Sequence, residues 1–174
     1  MAARVPSSLP LDVPDGELVE PGVLRRFLYE NVAVLAWYSA PTVSAIEEAY
    51  RLGLPLRQRY PRGGSIVHVL RGNRLTIMDA PARDAMVKAA NDLGNYTAAV
   101  AAVLAVDGFL ASAVRSVITG LRVRSKHDFE YRLHATSAEV ISWLPQVNLV
   151  KTGVEIDPQR LLAVLQHAET STGH

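Results

Sequence analysis

Leu75-Thr76-Ile77-Met78-Asp79-Ala80-Pro81-Ala82 is the stretch on which the reading of this chain turns. It follows an apolar run of strand length, Ile66–Leu70. It precedes a segment with Ala82, Met86, Ala89 or Ala90, and Leu93 at helical spacing. Asp79 is placed to cap that helix, because its carboxylate can accept a backbone N–H from the first turn. Gly94-Asn95 ends it. Strand, junction and helix in this order make half of a parallel crossover unit.

The alternation extends in both directions. Upstream, Val23–Tyr29 and Val32–Tyr38 read as two strands joined by Glu30-Asn31, a two-residue hairpin turn. The second run is almost wholly apolar, as expected of a strand covered on both faces. Ser39 or Thr42 then caps a helix carrying Val43, Ile46, Ala49 and Tyr50, with a break or kink expected at Pro55. Downstream, Thr97–Val106 is a continuous apolar run. Its five alanines suit a helix, but its length and its place between a helix stop and the fresh cap at Asp107 predict a strand. A third helix places Leu110, Ala113, Val114, Val117 and Leu121 on one face. Phe129–Ala135 alternates apolar and polar residues, the mark of a half-exposed strand near a sheet edge. Thr136-Ser137-Ala138-Glu139 reads as a capping box, with Val140, Trp143 and Leu144 inward and Pro145 as a stop. Asp157-Pro158 opens a last helix through Leu161, Leu162, Val164 and Leu165 to about Ala168. The expected fold is α/β: a mixed sheet with an N-terminal hairpin and four helices, plus a C-terminal helix. The expected division is a flexible lead-in over 1–14, an α/β domain over 15–147, and a linker and helix over 148–174.

Composition bounds the function. Hydrophobic residues make up 49% of the 174 and charged residues 20%, which is too apolar for a disordered chain. With no cysteine, disulfides, thiol catalysis and thiolate metal sites are excluded. A net charge of +1 argues against a general polyanion binder, and nucleic acid is not an expected partner. The first ten residues lack the apolar core of a signal peptide, and no run approaches the roughly 18 apolar residues of a membrane span. These features predict a cytoplasmic protein. No two histidines stand at metal-ligand spacing, and no G-x-S-x-G, P-loop or G-x-G-x-x-G occurs, so neither metal nor cofactor is expected.

The Leu75–Ala82 junction resembles that of STAS domains, the anti-sigma-factor-antagonist family. There it reads Leu-Thr-Phe-Met-Asp-Ser-Ser-Gly or close to it, and a serine is phosphorylated. The element order is similar over residues 20 to 145. The spacing of Gly108-Phe109, Val114–Val117, Thr119-Gly120-Leu121 and Ser142-Trp143-Leu144 looks like that of the SpoIIAA-like group of small bacterial proteins. The resemblance implies a non-catalytic regulatory or protein-interaction module. It departs from the family at the decisive place, because Ala80 and Pro81 stand where the serines would be. Asp79 is either a plain N-cap or a constant negative charge in the place of a phosphate.

Three further groups are candidates. Arg115, Arg122, Arg124, Lys126 and Arg132 could together hold an anion or an acidic partner; the plain alternative is a solvated face. Trp37 and Tyr38 of the hairpin, with Leu161 and Leu165 of the last helix, could form an interface with a partner or a second copy; the alternative is packing on the chain's own sheet. His68, within an apolar strand, reads as a core residue. A small-ligand or lipid-binding module is the second functional expectation, with an apolar pocket and Arg115 at its mouth. An enzyme is the third.

Overall fold

The computed structural model describes residues 13, 15–71, 78–104, 112, 115, 116, 119, 120, 123, 124, 126 and 129–174. A six-stranded sheet runs through them in sequence order: β1 (Glu17–Glu20), β2 (Leu24–Tyr29), β3 (Val32–Trp37), β4 (Gly64–Leu70), β5 (Thr97–Leu104) and β6 (Glu130–His134). The first three strands are antiparallel neighbours, and β3 to β6 are parallel. The α/β class, the mixed sheet and the hairpin are as the sequence predicts. Glu30 takes a positive φ of 50° to close the two-residue turn.

Helices α1 (Val43–Arg59) and α2 (Ala80–Leu93) return the chain between parallel strands. Helical residues at 112, 115, 116, 119, 120, 123 and 124 lie between β5 and β6. Three short helices follow β6: α3 (Ser137–Ile141), α4 (Leu144–Thr152) and α5 (Pro158–Thr170).

Side-chain alternation divides the core in two. Leu24, Leu35 and Trp37 face Ala45 and Ile46 of α1 and Ala82 of α2. Phe27, Val34, Val67, Val69, Ala101 and Val103 point to the other face, against Val140, Leu144, Leu161 and Leu165. The sheet is therefore covered on both sides, and all eight residues of β5 are buried. Its small alanines leave room for helices on each face.

Proline accounts for two departures from expectation. Pro55 neither ends nor breaks α1, which continues to Arg59. Pro55 and Arg51 both sit on the exposed face, so the Arg51 carbonyl that loses its donor can turn to water. Pro145 starts a helix instead of stopping one. It stands in the first turn of α4, where its missing N–H would have had no helical partner anyway. As a result, positions 148–152 are helical, and Asn148 and Thr152 are buried. The edge strand β1 was not expected. Its sequence, Glu-Leu-Val-Glu, is too short and polar to announce itself, and Arg26 pairs with Glu17 to hold it on β2.

Candidate functional site

Both ends of the parallel strands carry polar constellations, and they differ in kind. At the amino end, four buried residues form one network. Asn31 Nδ2 donates to Gly63 O at 3.0 Å and to Thr152 Oγ1 at 3.1 Å. Asn148 Nδ2 donates to Asn31 Oδ1 at 3.0 Å and to Val154 O at 2.9 Å. Ser65 Oγ donates to Asn148 Oδ1 at 2.8 Å, and Thr152 Oγ1 to Asn148 O at 2.8 Å. None of these four residues is more than 2% exposed. A closed, satisfied network of this sort rigidifies a core. It fastens α4 to the hairpin turn and to β4.

At the carboxyl end stands the junction that leads into α2. Met78 is buried under α2, whereas Asp79, Ala80 and Pro81 are exposed. Asp79 has extended backbone angles (φ −70°, ψ 170°), and its Oδ1 accepts the Ala82 N–H at 2.8 Å. Arg83 Nη1 donates to Met78 O at 3.0 Å. The positive end of the helix is thus met by the chain's own carboxylate. Leu75, Thr76 and Ile77 lie outside the described residues.

Among the described residues the basic group does not form one site. Arg124 pairs with Asp84 of α2 at 2.8 Å, and the backbone N–H of Lys126 donates to Asn91 Oδ1 at 2.8 Å. Arg115 is helical and exposed. Arg132 lies on the opposite face of the sheet, with its guanidinium 4.8 Å from the Trp143 ring centroid. Sequence proximity cannot reveal this separation, because it depends on which way each β6 residue points. Arg122 lies outside the described residues.

The expected interface residues are mostly spent on the chain's own core. Trp37 is 1% exposed, and Leu161 and Leu165 are fully buried against the sheet. The last helix therefore packs in cis. Tyr38 is half-buried; its hydroxyl is 2.6 Å from Ser171 Oγ, and Arg71 lies over its ring. Trp37 Nε1 donates to His68 Nδ1 at 3.0 Å, and the two rings stack. Desolvation pushes the His68 imidazole down to about 4, so it is neutral near pH 7.

A polar cleft of about 150 Å³ opens at the amino end of β5, lined by Arg62, Thr97, Phe129 and Lys151 among others. Arg115 is not part of it. Among the described residues no cluster of three or more His, Asp or Glu is placed to hold a metal ion, and no helix is long and apolar enough to cross a membrane.

The sequence marked Arg132 at the outer edge of β6 as one of a basic group, but not the contact of His134 with Trp143 beside it. There His134 packs on Trp143 with ring centroids 5.6 Å apart. His134 Nε2 and Trp143 Nε1 are buried without a hydrogen-bond partner. His134 Nδ1 lies 3.6 Å from Glu139 Oε2, which also accepts the Ala135 N–H. Desolvation holds the His134 pKa below its usual value, against the pull of Glu139. No protein-family model, curated protein or solved structure matches this chain.

Proposed function

We propose that the chain is a non-catalytic regulatory or protein-interaction module of the cytoplasm, resembling STAS domains and working without phosphorylation at the start of α2. One observation carries the reading. The exposed helix start that would present a phosphorylatable serine presents Asp79, Ala80 and Pro81 instead, with the Asp79 carboxylate already seated on the helix amides. A phosphate there would be a conditional negative charge; Asp79 is an unconditional one.

A photo-reactive residue at position 80, introduced in the native cell, tests this directly. One predominant protein should be cross-linked. Asp79→Asn, which keeps the cap but removes the charge, should weaken that capture. A native complex left unchanged by Ala80→Arg, with nothing captured at position 80, would overturn the proposal.

A second reading, small-ligand binding, draws support from the Arg62–Lys151 cleft. Its 150 Å³ falls short of the several hundred that a drug-sized or lipid ligand occupies, and its two cations suit a small anion. Calorimetric titration with inorganic phosphate and with acetate tests it. No heat at millimolar concentration removes this reading.

A further inference from the structure

We infer that the outer edge of β6 is a docking site for an extended, acidic segment of another protein, which adds to the sheet as a seventh strand. The inference deepens the interaction-module reading and rests on it. It supplies a surface and a partner chemistry separate from the start of α2.

Four observations converge. First, β6 is the last strand of the sheet and pairs only with β5, so among the described residues its outer N–H and C=O groups have no ladder partner. An edge of this kind is a template for another strand. Second, Arg132, in the middle of β6, is exposed, and no carboxylate among the described residues pairs with it. Its guanidinium carbon lies over the Trp143 ring, 4.8 Å from the centroid, and its N–H donors have no carboxylate partner among the described residues, so they can meet a planar carboxylate. Third, the other charge on that face of β6, Glu130, is already met by Lys151 at 3.6 Å, so Arg132 sets the sign of the edge. Fourth, Trp143 Nε1 and His134 Nε2 are buried and unpartnered directly behind it. Buried polar groups in native proteins nearly always have partners, so two orphans on side chains in ring contact mark a place that is incomplete in the free chain.

The same charge selects the occupant. If a second copy paired antiparallel about the centre of β6, Arg132 would face Arg132, and like charges directly opposite are unfavourable. A segment of about five residues, matching Glu130–His134, with Asp or Glu across from Arg132 turns that repulsion into a bidentate ion pair.

The test uses the full chain and two blocked pentapeptides, acetyl-Thr-Val-Glu-Val-Thr-amide, whose central Glu falls across from Arg132, and its lysine counterpart. In 1H–15N NMR spectra the acidic peptide should shift the Trp143 indole N–H and the β6 amides and slow their exchange with solvent. The Trp37 indole N–H, held by His68, should stay in place as the internal control. Arg132→Glu should weaken the acidic peptide at least tenfold and confer binding of the lysine peptide. Equal response to both peptides, an unchanged response in Arg132→Glu, or pairing of β6 with a second copy in place of peptide would overturn the inference. If it fails while a partner is still captured at position 80, the interaction-module reading stands and only the β6 edge is lost.

Discussion

The amino ends of the parallel strands and the outer edge of β6 use similar side chains to opposite effect. Asn31, Ser65, Asn148 and Thr152 sit in a dry interior, and each donor has found an acceptor. Arg132, His134 and Trp143 sit at a rim where donors outnumber partners. The first arrangement contributes stability and leaves nothing for a ligand to take. The second contributes little stability and leaves hydrogen-bonding capacity open. A polar residue is informative about function only once its partners are known.

The contrast can be broken most forcefully at Asn148. Replacing it with Ala strands Asn31 Oδ1 and Ser65 Oγ without partners and opens a cavity, which should cost about 3–5 kcal/mol. Urea denaturation measures this, and a loss under 1 kcal/mol would show that water replaces the amide freely. His68 gives the next largest effect, through acid. The unfolded imidazole titrates near 6.5 and the folded one at about 4. Between those values only the unfolded chain takes up the proton. Stability is intact above pH 6.5, falls as pH drops towards 4, and then levels off. His68 keeps some solvent contact, which makes roughly 3 kcal/mol a ceiling for the loss. His68→Gln should flatten the curve over that window, and an unchanged slope would assign the acid sensitivity to other groups.

Smaller effects sharpen the comparison. Asp79→Ala removes a cap and should cost roughly 1 kcal/mol, whereas Asp79→Asn should be nearly neutral. If both variants lose the same stability, the carboxylate charge matters more than the cap, and thermal melts will tell. Arg132→Glu should shift stability by about 0.5 kcal/mol or less, as surface changes do. A destabilisation like that of Asn148→Ala would turn the β6 rim into a structural feature and erase the distinction drawn above.

Much of the architecture was legible along the chain. The strand nature of Thr97–Leu104 followed from its length and flanking stops despite its alanines, and the structure buries it on both faces. The caps at Thr42, Asp79, Thr136 and Asp157 were readable because an N-cap is a local bond, spanning two or three residues. Pro55 and Pro145 misled because proline's effect depends on where in the helix it falls and whether the affected carbonyl can reach water. Leu161 and Leu165 showed an apolar stripe, but a stripe does not state which surface it covers.

By itself, the sequence determined what depends on near neighbours: the α/β class, the hairpin, the helix starts and the absence of a hydroxyl at positions 80 and 81. Tertiary structure alone decided what depends on distant ones. It brought Asn31 and Asn148 together across 117 positions. It sent Arg132 to the opposite face from Arg124, and it closed the last helix over the chain's own sheet. The reason is that local hydrogen bonds and side-chain periodicity act over a turn or a strand, while packing and electrostatic pairing are settled only when the layers meet.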